Sequence, residues 1–155
     1  MDVISASLPS ARRSTESEGV VEILDRADRA VDAVLTPVIT KEGLTREAWR
    51  VLLLLYRGGG RSMGEIAEHA AIPNPTATRV VDRLVENEMA RRRTDPNDRR
   101  RVLVHLATGG REVVKRVSRD LERRFDSAFD DFPITERELG ALLTQLSETI
   151  EQVGN

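Results

Sequence analysis

The sequence predicts a mainly α-helical fold: a helix-turn-helix with a small β-hairpin wing, dimerised through N- and C-terminal helices. Three observations carry that expectation. Two short helical patterns meet across Ala71-Ile72-Pro73; a basic, turn-bearing segment follows between two strand patterns; and apolar residues recur at helical spacing toward both ends of the chain.

The first short helix opens on Ser62, with Glu65 three residues later, the pairing of a capping box. Ile66, Ala67 and Ala70 form its apolar stripe. Pro73 removes a backbone donor and pushes Ile72 away from helical geometry, so the helix stops there. Asn74 is placed to cap the next helix and Pro75 suits its first position, which predicts a helix over 75–87.

On that second helix Ala77, Val80, Val81, Leu84 and Val85 share one face at about 100° per residue. Arg79, Asp82, Arg83 and Glu86 take the other, flanked by Thr76 and Thr78. The apolar face packs on the preceding helix, which leaves Asn74, Thr76, Thr78, Arg79 and Arg83 to meet base edges in a major groove. Arginine can bond guanine O6 and N7 together, and threonine offers a hydroxyl and a methyl.

Residues 90–94 (ARRRT) and 101–107 (RVLVHLA) read as strands around the turn Asp95-Pro96-Asn97-Asp98. Val102, Val104 and Leu106 share a face of the returning strand. Between Arg91 and Arg101 stand six arginines and two aspartates, a local +4 in a chain of net charge −2. Beside a helix-turn-helix, Arg92, Arg93, Arg99 and Arg101 read as a phosphate clamp.

From about residue 43 to 111 the chain resembles the multiple-antibiotic-resistance regulator (MarR) family of bacterial transcription factors. The resemblance rests on GLTREAWRVL (43–52), SMGEIAEHAAIPNPTATRVVDRLVE (62–86) and RRRTDPNDRRRVLVHLATGGRE (91–112). It implies that Asp98 and Arg100 are the family's Asp-x-Arg wing pair, the arginine probing a minor groove and the aspartate holding it. A narrow A·T-rich groove concentrates the negative potential that such a guanidinium seeks. Two departures stand out. Pro73-Asn74 replaces the usual Ser-Pro entry to the recognition helix, and Glu88 replaces the glycine that usually ends it, which leaves Asn87 to supply the left-handed turn.

At 155 residues and 39% apolar composition, a single domain is expected over 19–152, after a disordered polar tail over 1–18. Residues 44–107 form its DNA-binding part; 19–40 and 108–152 supply dimerisation helices. In the first of these Pro37 should end or kink the helix. Thr45 caps the next, with Leu44 and Trp49 as a hydrophobic staple, and Thr135 with Glu138 forms a second capping box near the C-terminus. Leu24, Val31, Val117, Leu121, Phe125, Leu142, Leu146 and Ile150 lie on apolar faces that the small reading unit cannot all cover, which predicts a homodimer.

Composition excludes several classes of function. With no cysteine, thiol-based sensing and thiolate metal sites are ruled out. The only histidines, His69 and His105, stand far apart, so neither a metal nor any other cofactor is expected. No nucleophile elbow, phosphate loop or paired-acid motif marks an enzyme. No segment reads as a membrane span or secretory leader, so a cytoplasmic protein is expected.

The expected partners are double-stranded DNA, a second copy of the chain and possible small-molecule effectors, with no membrane. Two recognition helices about 34–36 Å apart would fit a palindromic operator, and repression is the commoner outcome among relatives. The resemblance further implies release by a small aromatic or lipophilic anion in a cleft bordered by Trp49, Arg50 and Tyr56, although Trp49 and Tyr56 also read as core aromatics. The alternative is a winged helix used for protein–protein contact without an operator. Such a module has no need of six arginines on its wing.

Overall fold

The computed structural model describes residues 19–129 and 132–153. Among them the order is α1 (Val20–Lys41), α2 (Arg46–Tyr56), α3 (Met63–Ala70), α4 (Asn74–Glu86), β1 (Ala90–Thr94), β2 (Val102–Leu106), α5 (Thr108–Phe129) and α6 (Glu136–Val153). The tail expected over 1–18 lies outside the described residues. The described residues divide into two compact units: Arg29–Glu122, and a second comprising residues 19–28 with residues 123–129 and 132–153.

The core of Arg29–Glu122 follows from the apolar periodicity. Ile39, Val51, Leu52, Leu55, Ile66, Val81, Val104, Val114 and Val117 are its largest fully buried side chains. Each stabilises the unit by roughly 1.5–3 kcal/mol relative to exposure. Four of the five residues 51–55 of α2 are buried, with Leu53 partly so, which is why this helix carries an almost unbroken apolar run. Thr45 caps α2, its hydroxyl accepting from the Ala48 N–H at 3.3 Å, and Leu44 and Trp49 are both buried beside it.

Two local expectations are corrected, and of the two outcomes expected at Pro37, a helix end or a kink, the first is excluded. Pro37 does not end α1, which runs on to Lys41. An internal proline costs about 3 kcal/mol, but the next two residues, Val38 and Ile39, are buried, and their burial offsets it. Asn74 is not the cap of α4 but its first residue. Pro73 holds the cap position in extended geometry, and its carbonyl accepts from the Ala77 N–H at 3.0 Å. Finally, Glu88 rather than Asn87 takes the left-handed turn, at φ 57°. The Asn87 side-chain amide donates to the Arg83 carbonyl at 2.7 Å, while the Met89 N–H closes the helix end on the Leu84 carbonyl at 2.8 Å.

In the second unit, α6 opens on the capping box of Thr135 and Glu138: the Thr135 N–H donates to the Glu138 carboxylate at 2.8 Å, and the Glu138 N–H returns to the Thr135 hydroxyl at 3.2 Å. Leu142 and Ile150 are more than half exposed, and Leu146 and Leu24 are half-buried, as is Phe125 on the end of α5. Within Arg29–Glu122, Val31 is exposed and Leu121 half-buried. Val117 departs from its assignment to the dimer face: it is 2% exposed and belongs to the core of its own chain.

Candidate nucleic-acid interface

The helix-turn-helix is α3 and α4. Ser62 accepts from the Glu65 N–H at 3.3 Å while its own N–H donates to the Glu65 carboxylate at 2.8 Å, completing the capping box. Ala71 then turns the chain in left-handed geometry, φ 53°, and α4 begins three residues later. Ala77, Val81 and Leu84 bury one face of α4. Asn74, Thr78, Arg79 and Arg83 are exposed on the rest, with Thr76 half-buried beside them. The Thr78 hydroxyl donates to the Asn74 carbonyl at 3.0 Å, which leaves its methyl and its lone pairs unengaged by that bond. Among the described residues the guanidinium groups of Arg79 and Arg83 make no ion pair.

The wing is the antiparallel pair β1–β2, in the register Ala90↔Leu106, Arg91↔His105, Arg92↔Val104, Arg93↔Leu103 and Thr94↔Val102. Directly paired residues share a face of the sheet. One face therefore carries Ala90, Arg92, Thr94, Val102, Val104 and Leu106, of which Ala90, Val104 and Leu106 are buried and Val102 is exposed; the other carries Arg91, Arg93, Leu103 and His105. Arg92 donates to Asp82 of α4 at 2.7 Å.

The loop between the strands is held by aspartates. Asp95 accepts from the Asn97 N–H at 2.8 Å, and Asp98 accepts from the Arg100 N–H at 3.0 Å. A turn closes from the Arg101 N–H to the Asp98 carbonyl at 2.9 Å. Asp98 thus shapes the backbone beneath Arg100. The side chains of Arg99, Arg100 and Arg101 are exposed and, among the described residues, make no ion pair. At the root of the wing, Arg61 exchanges two backbone hydrogen bonds with Val104, at 2.9 and 2.8 Å, fastening β2 to the start of α3.

The residues proposed to line a ligand cleft are placed differently from one another. Trp49 is 5% exposed, within the core. Arg50 donates to the Ala70 carbonyl at 3.2 Å, which ties α2 to the end of α3. Tyr56 is exposed, and the Arg111 guanidinium stands 5.5 Å from its ring centre. None of the three lines the cavity of about 330 Å³ between the α1–α2 corner and α4. That cavity offers Leu44, Ala48, Val80, Leu84 and Met89 as apolar wall, and Arg79 and Arg83 as cations. Its two glutamates are already engaged. Arg116 hydrogen-bonds Glu42 at 2.7 Å and holds that carboxyl below its ordinary range. Hydrogen bonds from its own backbone N–H and from Thr45 lower Glu47 likewise.

Sequence reasoning missed Asp82 as a partner of the wing and Arg61 as its anchor. A signal for the first was available. Alternation along ARRRT sets Arg92 on the face opposite to Arg91 and Arg93. The second depends on a tertiary bridge with no local signature.

With the site in view, likenesses to known proteins can be placed on it. The sequence profile of the MarR family matches residues 42–101, from the corner after α1 through the wing loop. FarR of Neisseria gonorrhoeae, an HTH-type transcriptional regulator, is 26% identical over 104 residues, covering 67% of this chain and 71% of that protein. The solved structure of the transcriptional regulator PA4135 is 30% identical with a TM-score of 0.72, over 87% of this chain and 98% of its own. BpsR of Bordetella bronchiseptica, whose DNA binding is regulated by 6-hydroxynicotinic acid, is 29% identical with a TM-score of 0.67, over 88% and 96%.

Proposed function

This chain belongs to the MarR family of DNA-binding transcriptional regulators, and from that premise we propose that it is a repressor holding a palindromic operator as a homodimer. The observation that carries the proposal is the pairing of two cationic surfaces in one unit. Arg79 and Arg83 stand exposed on α4, and Arg99, Arg100 and Arg101 on the wing loop, all without an ion pair among the described residues. In this reading Asn74, Thr76, Thr78, Arg79 and Arg83 address base edges, Arg100 enters a minor groove, and Arg93, Arg99 and Arg101 meet phosphates. The exposed Leu142 and Ile150 of α6 support self-association. No reaction is assigned to the chain, and action on chromosomal DNA sets its work in the cytoplasm.

Release by a small aromatic or lipophilic anion completes the proposal. The cavity beside α4 supports it, because an apolar wall and two arginines that make no ion pair among the described residues suit an amphipathic carboxylate. BpsR supplies a relative regulated by such a compound. A ligand there would engage Arg79 and Arg83, the same groups the operator needs.

The test is titration of the purified chain with genomic duplex at two salt concentrations, followed by sequencing of protected fragments. Each phosphate neutralised should add about −0.9 to the slope of log K against log salt. The protected fragments should share an inverted repeat, and 6-hydroxynicotinic acid is a first probe for release. A monomer in sedimentation that ignores every duplex at low salt overturns the proposal.

A further inference from the structure

Three consecutive arginines open the wing, and the register separates them. Arg91 and Arg93 share one face of the hairpin with His105 and Leu103, whereas Arg92 is paired with Val104, which is fully buried. The Arg92 stem therefore runs along the face that the hairpin turns to the core, and its guanidinium reaches Asp82 of α4 at 2.7 Å. Asp82 is the acidic member of the turn that carries Arg79 and Arg83. A bare carboxylate there would repel the polyanion those arginines attract.

The geometry points to Arg92 as a positioning residue: through Asp82 it fixes the wing against the recognition helix, and it is not itself a phosphate contact. The wing root is then held on both sides. Arg61 fastens β2 by two backbone hydrogen bonds, at 2.9 and 2.8 Å, and Arg92 fastens β1 to α4. Reading a duplex with a helix in one groove and a loop in the next needs a set distance between them. The inference rests on the reading that α4 and the wing engage one duplex together.

The experiment is a double-mutant cycle on the full chain, Arg92→Ala, Asp82→Ala and both. Affinity is measured at three salt concentrations on duplexes with A·T-rich or G·C-rich flanks. Each single variant should lose up to about fivefold in affinity, and the pair no more than the worse single, because both remove one link. The salt slope should stay at the wild-type value, and the preference for A·T-rich flanks should fall as the wing loosens. Asp82→Asn keeps an acceptor oxygen without the charge and should retain that preference. A slope shallower by about 0.9 in Arg92→Ala would make Arg92 a phosphate contact and overturn the inference. Tighter binding by Asp82→Ala would overturn it too.

Amide hydrogen exchange without DNA tests the same link independently of binding. Exchange over β1 and β2 should quicken in both single variants while α2 keeps its protection; wild-type rates in the wing overturn the inference. A wild-type chain that binds no duplex counts against the functional proposal, and the exchange rates then decide the role of Arg92.

Discussion

Gly110 lies so close to Met89 that a β-carbon there would come within 2.1 Å of the Met89 carbonyl oxygen. That oxygen accepts the Ala107 N–H at 3.0 Å, so the contact marks where the wing returns into α5. The neighbouring Gly109 makes a similar approach, its β-carbon site 2.9 Å from the Glu88 carbonyl. Gly110→Ala should therefore lower the stability of the chain by about 2–3 kcal/mol, as forced overpacking does. Gly64→Ala, in α3 with open space around the new carbon, should instead raise it by about 0.5–1 kcal/mol. Denaturant midpoints measure both. A Gly110→Ala protein with the wild-type midpoint would mean that the joint opens without cost.

Acid should weaken the helix ends and the α1–α5 link. Glu65 and Glu138 are held below the ordinary glutamate range by hydrogen bonds from the backbone and hydroxyl of their caps, and Glu42 by the bond from Arg116. A carboxyl whose folded value is depressed contributes stability that is fully present above its unfolded value. It loses that contribution as pH falls through the folded one. The loss should therefore set in below about pH 4.3, the ordinary glutamate value. Denaturant unfolding at successive pH values checks this, and Glu42→Gln should flatten the dependence. An unchanged pH profile in that variant would mean that the Arg116 link adds nothing to the acid response.

Arg79→Ala should relax base preference at one position of each operator half-site, by about 1–3 kcal/mol of discrimination. Binding to a panel of single-base operator variants measures it. Equal weakening on every variant would reduce Arg79 to a phosphate contact.

Arg100→Ala should cost most on operators with A·T-rich flanks, where a narrow minor groove deepens the negative potential. Asp98→Ala should follow the same pattern more weakly, since Asp98 orders the Arg100 N–H and not its guanidinium. Equal losses on A·T-rich and G·C-rich flanks would exclude minor-groove insertion.

What the sequence disclosed was mostly local. Ser62 with Glu65, Thr45 with Leu44 and Trp49, and Thr135 with Glu138 are signals spanning a single helical turn, and the structure forms each cap. The wing was legible because strand alternation and turn residues agree over 90–106. Tertiary effects were not. Pro37 argued for a helix end or a kink, and the burial of Val38 and Ile39 that carries α1 past it lies outside any local rule. Pro73 took the cap because its extended backbone already presents a carbonyl to Ala77, a role that Asn74 was expected to fill with its side chain. The cavity beside α4 brings residues 42–48 to 76–89, a meeting that no periodicity encodes.

Ala71 at φ 53° and Glu88 at φ 57° bracket α4, and among the described residues they are the non-glycine positions with left-handed backbone. An L-residue in that conformation gives up roughly 1–2 kcal/mol, so a tolerated reserve of strain sits at each border of α4. Glycine at both borders would release part of it while leaving every exposed side chain of α4 in place. A sturdier parent of that kind could carry randomised α4 sequences that the native background would be too marginal to fold.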